Sequence, residues 1–150
     1  PKPVIGDGMV YIGTSFTRPQ LLAFDITKAK PEIAWNCKRS VPAVSSPILV
    51  GEEIYFVSDS GGVVTCLDAK TGKEHWRERI SGNHGASPTF VGGRLLFHSK
   101  EGETTVLKPG RKFKILARNK LDGAHHASAA VSGDALFLRT DKALYRVEKQ

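Results

Sequence analysis

The chain repeats itself every 41 residues, and no other property of the sequence restricts its fold as much. Ser46-Pro47-Ile48-Leu49-Val50-Gly51 returns as Ser87-Pro88-Thr89-Phe90-Val91-Gly92, and again as Ser128-Ala129-Ala130-Val131-Ser132-Gly133. The segments after them keep the same step: Ile54-Tyr55-Phe56-Val57, Leu95-Leu96-Phe97-His98 and Leu136-Phe137-Leu138-Arg139. A more divergent copy opens the chain, with Pro3–Gly8 before Val10-Tyr11-Ile12, offset by 44 residues from the next one. Its extra length falls near Thr17–Gln20 and Lys28–Pro31, both turn-like.

Within the second copy the punctuation marks four strands. Pro47–Val50, Ile54–Val57, Val63–Leu67 and Glu74–Ile80 are separated by Gly51-Glu52-Glu53, Asp59-Ser60-Gly61-Gly62 and Asp68–Lys73. Short β-branched and aromatic runs between Gly, Asp and Ser turns make antiparallel hairpins. Helical apolar stripes are missing throughout. Four short strands in ~40 residues is the period of a β-propeller blade. The expected fold is therefore all-β, a partial propeller of about four four-stranded blades covering approximately 1–44, 45–85, 86–126 and 127–150, the last incomplete. Ser46–Val50, Ser87–Val91 and Ser128–Val131 are expected to be equivalent innermost strands. A blade cannot bury both faces alone, so these units must stack side by side around an axis.

Composition narrows the partners. The net charge of +7 comes from 22 Lys and Arg against 15 Asp and Glu. It divides as +3, 0 and +4 over residues 1–50, 51–100 and 101–150, and its densest stretch is only Arg111-Lys112-Phe113-Lys114. Charge dispersed this way reads as a solvated basic surface, so no nucleic-acid partner is expected. No apolar run approaches the ~20 residues of a membrane span. Cys37 and Cys66 form neither a CxxC nor a His-spaced set, which argues against structural zinc and leaves a single disulfide open. No charged-then-apolar leader follows Pro1, so a targeting segment does not reveal the compartment.

The third turn of the second copy is the most specific motif. Cys66-Leu67-Asp68-Ala69-Lys70-Thr71-Gly72-Lys73-Glu74-His75-Trp76 sets a small residue ten positions before a tryptophan. Asp68 can accept backbone N–H groups across the turn, Thr71 can reinforce it, and Gly72 suits a positive φ. Trp76, on the outer strand, then has a large apolar face to dock on the next blade. This run resembles the tryptophan-docking motif of pyrroloquinoline quinone (PQQ) enzyme repeats, A-x-D-x-x-T-G-K-x-x-W, with Cys66 for its Ala. The first copy is looser, from Ala23-Phe24-Asp25 to Trp35. In the third, Val106 and Leu116 keep the ten-residue spacing, while Lys108 replaces Asp and the Trp is lost. The fourth stops after Leu144-Tyr145-Arg146-Val147.

The resemblance implies a PQQ-like β-propeller, of which the chain is the C-terminal portion. It also implies a periplasmic or secreted bacterial protein. Quinoprotein dehydrogenases of this type use calcium, a carboxylate base and adjacent cysteines. No matching set occurs here, so neither PQQ nor calcium is expected to bind this stretch and no catalytic residue is assigned. The expected role is a non-catalytic binding or assembly scaffold, whose partners are another protein, the remaining blades of a longer chain, or a second copy by self-association. The alternatives are a quinoprotein oxidoreductase with its active-site residues upstream, and a propeller lipoprotein of the outer-membrane assembly kind.

The candidate ligand-face residues are His84, His125, His126, Asp59, Lys100 and Arg139. Meander topology puts the inter-blade connections and the second-to-third-strand turns on one face of the disc. His84 and His125 are equivalent by the 41-residue period, and Asp59, Lys100 and Arg139 lie in or beside the turns. Convergent polar side chains there would suit an anion or metal; solvated loop residues are the commoner outcome. His75 and His98 read as structural or exposed. Asp59–Gly62 reads as a hairpin turn rather than a calcium loop. Ser45, Ser46 and Ser87 stand at strand starts with no paired base nearby, so they do not read as nucleophiles.

Overall fold

The computed structural model describes residues 1–15 and 17–148. Fifteen strands run in chain order among them: β1 (Val4–Gly6), β2 (Met9–Thr14), β3 (Gln20–Asp25), β4 (Glu32–Cys37), β5 (Ile48–Val50), β6 (Glu53–Val57), β7 (Val63–Asp68) and β8 (Glu74–Arg79), followed by β9 (Thr89–Val91), β10 (Arg94–His98), β11 (Glu103–Leu107), β12 (Ile115–Lys120), β13 (Ala130–Ser132), β14 (Ala135–Arg139) and β15 (Leu144–Glu148). They form three four-stranded antiparallel meanders and one three-stranded meander, each in sequence order. No helix occurs among the described residues. The protein is an all-β propeller segment of four antiparallel meanders, the last with three strands among the described residues.

The 41-residue period is carried into the pairing register: Ile48 faces Tyr55, Thr89 faces Leu96, and Ala130 faces Phe137. The first strands of successive blades lie beside one another, β1 by β5 and β5 by β9. These strands begin two residues later than the sequence predicted, at Ile48, Thr89 and Ala130. The serines before them have a different task. Lys2 N–H donates to Ser46 Oγ at 2.6 Å, Ser46 N–H to Ser87 Oγ at 2.9 Å, and Ser87 N–H to Ser128 Oγ at 2.9 Å. A row of backbone-to-hydroxyl bonds thus staples each blade to the next.

Two apolar cores fill the first two blade interfaces. Met9, Tyr11, Leu21 and Ala23 meet Ile54, Phe56 and Leu67 between blades 1 and 2. Tyr55, Val57, Val64, Cys66 and Trp76 meet Leu95, Phe97 and Leu107 between blades 2 and 3. Alternation along the strands makes this possible, because odd and even residues of one strand face opposite neighbours.

The docking turn behaves as its chemistry requires. Asp68 Oδ1 accepts the Thr71 N–H at 2.9 Å and the Thr71 hydroxyl at 2.7 Å. In the first copy Asp25 Oδ1 accepts the same two groups from Thr27. Gly72 has φ +72°, and a Cβ there would lie 2.7 Å from the Trp35 ring. Trp35 donates its indole N–H to Ala69 O, and Trp76 to Gly110 O, both at 2.9 Å and both 34 residues along the chain. Each indole packs on a tyrosine of its own blade, Tyr11 or Tyr55, and Trp76 adds an edge contact with Phe113.

The third copy corrects one sequence expectation. The residue in the tryptophan slot is Ala117, not Leu116: Ala23 pairs with Trp35, Cys66 with Trp76, and Val106 with Ala117, each beside a bulge. Leu116 faces solvent. Cys37 and Cys66 are free thiols on different blades, so the open disulfide does not form.

Candidate functional site

The inter-blade connections and the turns between second and third strands do gather on one face, because each connection hydrogen-bonds to a turn. Asp59 accepts the Ala43 N–H at 2.6 Å on its carboxylate, and its own carbonyl accepts the His84 N–H at 2.8 Å. Lys100 N–H donates to Asn83 O at 2.7 Å, and Glu101 takes both the N–H and the side-chain amide of Asn83 at 2.9 Å. Those Asn83 bonds hold the Glu101 carboxyl below its ordinary range. One repeat further on, Asp141 Oδ1 accepts the Ala124 N–H at 2.7 Å. The tight turns depend on glycine: a Cβ on Gly62, at φ +58°, would stand 2.6 Å from Ile80 O.

The six candidates separate into interior and surface. His84 and His125 are 1% and 0% exposed and belong to the framework. His126 and Arg139 are exposed and share a hollow of about 330 Å³ with Ala124, Ala127, Thr140 and Asp141. Lys100 opens on a neighbouring hollow of about 510 Å³ with Glu101, Lys120, Leu121, Asp122 and Gly123. Asp59 stands a blade away, bonded to its own connection. Among the described residues, no group of three or more His, Cys, Asp or Glu side chains is placed to hold a metal ion.

His84 shows why a histidine is used inside the connection. Its Nδ1 lies 3.0 Å from His98 O and its Nε2 3.0 Å from Ser81 O, so the ring bridges the connection and the end of β10. Burial pulls its pKa below the ordinary value, against the opposing pull of those two carbonyls and of Glu101 and Glu103.

His98 is the residue the sequence pattern did not single out. It sits one period after Val57 and, at 1% exposure, fills the corresponding interior place. Its Nδ1 lies 2.9 Å from Thr104 Oγ1, and its ring centroid is 5.4 Å from that of His125. Between blades 3 and 4, then, His98 occupies ground that Val57 holds between blades 2 and 3, beside His125, the counterpart of His84 one repeat earlier. A histidine mapped by the repeat onto a core valine was the available signal.

The family model described as "Outer membrane protein assembly factor BamB" matches residues 1–76 and again residues 32–150, so that every repeat is included. The chain belongs to the BamB family of PQQ-like repeats. No curated protein sequence matches it significantly. Among solved structures, BamB from Moraxella catarrhalis superposes with a TM-score of 0.68 at 18% identity, over 95% of this chain and 40% of that one. The quinohemoprotein alcohol dehydrogenase ADHIIG from Pseudomonas putida HK5 gives 0.72 at 16%, over 91% and 27%. The computationally designed protein Ika4 gives 0.74 at 12%, over 97% of this chain and 88% of that one. At these identities the likeness is one of fold. The BamB-family chain spans about two-fifths of the Moraxella protein it matches.

Proposed function

We propose that the chain is a binding or assembly scaffold of the BamB kind, without catalysis of its own, working in the periplasm or as a secreted protein. One observation carries this reading: the polar side chains of the loop face are spent on the backbone of the connections, Asp59 on Ala43, Glu101 on Asn83 and Asp141 on Ala124. A face built this way is stiff and presents shape together with the exposed His126, Arg139 and Lys100. That suits recognition of a protein partner. The family match to an assembly factor supports the same role.

A photo-crosslinking residue placed at His126 or Arg139 in the cell envelope tests this. Adducts to a partner polypeptide are expected there and not from Lys112, at the opposite end of the blade; equal labelling from all three sites would overturn the reading. The oxidoreductase alternative has its own test. Titration with PQQ and calcium, followed by quinone absorbance, should give no stoichiometric complex at micromolar protein, and a tight one would establish that alternative instead.

A further inference from the structure

The interface between blades 3 and 4 contains three ring nitrogens that no described protein group meets. His98 Nε2 and both nitrogens of His125 are buried and have no hydrogen-bond partner among the described residues. Buried polar atoms in folded proteins are nearly always paired, and an orphan commonly marks an ion or a water. Three such atoms on two rings in contact are not an accident of one side chain. We propose that His98 and His125 form a two-histidine site for a late first-row transition-metal ion, with water completing its coordination.

Three features support it. Imidazole nitrogen is the ligand such ions favour. Two imidazoles on one ion, at about 2.0–2.1 Å and a near-tetrahedral angle, hold their centroids roughly 5 Å apart, and the observed separation is 5.4 Å with the rings inclined by 50°. The Nδ1 of His98 is tied to Thr104 Oγ1 at 2.9 Å, which leaves Nε2 as the free nitrogen; histidine ligands are commonly oriented by such a bond on the other ring nitrogen.

His125 pairs with Thr140 in an isolated bridge, and Thr140 lines the 330 Å³ hollow that His126 also lines, so the two rings sit behind the wall of that hollow rather than in it. The site lies apart from the assembly role proposed above and stands or falls separately from it.

Zn(II) added to the ¹⁵N-labelled chain tests the proposal. The expected result is one equivalent bound, with the side-chain nitrogens of two slowly exchanging, buried histidines shifted and those of His126 unmoved. His98→Asn and His125→Asn should each weaken binding at least tenfold, while His126→Asn leaves it unchanged. Binding that survives both core substitutions, or that disappears with His126→Asn alone, would assign the ion to the surface and overturn the proposal. Should either core variant fail to fold, the wild-type spectrum decides: unshifted His98 and His125 nitrogens at saturating Zn(II) defeat the site.

Discussion

The backbone N–H of Ser46 donates to the hydroxyl of Ser87, 2.9 Å away in the next blade and 41 residues later in the chain. Ser87 repeats the arrangement with Ser128. Serine is suited to this place because it is small enough for adjacent strand starts to approach, and its oxygen accepts. Ser87→Ala leaves the Ser46 N–H without its acceptor in a partly buried position, and should cost about 1 kcal/mol in denaturant unfolding. Ser128→Ala, at the exposed end of the row, should cost less; equal losses would show that the staple is not the source of the stability.

Gly72→Ala should be more damaging than an ordinary turn substitution. It combines φ +72° with a Cβ placed 2.7 Å from the Trp35 ring, and incompatible backbone alone costs roughly 1 kcal/mol or more. Trp76→Phe keeps an aromatic ring but loses the bond to Gly110 O, for about 1 kcal/mol. Trp76→Ala opens the core and should cost about 3–5 kcal/mol. Unfolding curves of the three variants give the order, and a Gly72→Ala protein as stable as wild type would contradict the docking geometry.

The two thiols should differ in reactivity. Burial pushes the Cys66 thiol up to about 12, with Glu53 adding to the rise against the bond from Tyr55 and the charge of Arg111. Since the thiolate is the reacting form, a colorimetric disulfide reagent at neutral pH should titrate Cys37, which is half-buried, and reach Cys66 only on unfolding. Two fast equivalents in the native protein would refute this.

Acid should weaken the docking turn. The hydroxyl of Thr71 first, and then its N–H, hold the Asp68 carboxyl below its ordinary range. A carboxylate with a depressed folded-state pKa stabilises the fold above its unfolded pKa, and that contribution is lost as the pH falls through the folded value. Asp68→Asn should therefore melt below wild type at about pH 6, and the two melting temperatures should converge in acid as the wild-type carboxylate is protonated. A gap that persists unchanged at low pH would place the effect elsewhere.

Blade 1 turns an apolar face outward. Cross-strand pairing puts Ile5, Val10, Ile12, Leu22, Phe24 and Ile33 on the side away from blade 2, and Ile5 and Ile33 are 69% and 56% exposed. Monomers rarely leave large apolar faces uncovered. Expressed alone, the chain should associate with a second copy through this face, and Ile5→Lys with Ile33→Lys should reverse it. Sedimentation reads the outcome: a monodisperse 16.3 kDa monomer before any substitution would contradict it.

Much of this fold was legible because a repeat states its own register. The strands, the turns and the Asp68, Thr71 and Gly72 contacts could be taken from one copy. The tryptophan slot of the third copy could not: turn length and a bulge between Val106 and Leu107 move it to Ala117, whereas counting from Val106 gives Leu116. The serine staples were hidden because each hydroxyl serves a neighbour 41 or 44 residues away, while in sequence it looks like the start of a strand. On the loop face, residue type suggested ligands, yet burial turned His84 and His125 inward and left His126, Lys100 and Arg139 exposed. The orphaned nitrogens of His98 and His125 depend on which side chains fail to arrive, and a residue pattern does not encode that.

The indole latches point one way along the chain. Trp35 and Trp76 each close on a carbonyl 34 residues later, while Ala117 in the third blade offers no ring to the fourth. During synthesis, therefore, blades 1 and 2 should each wait for about one further blade to emerge before their latch can close, so that ordering is expected to travel from the amino end toward the carboxyl end. Dissolution takes the opposite course. The fourth blade, held without an indole, should exchange its amide protons first, and the junction of blades 1 and 2 last.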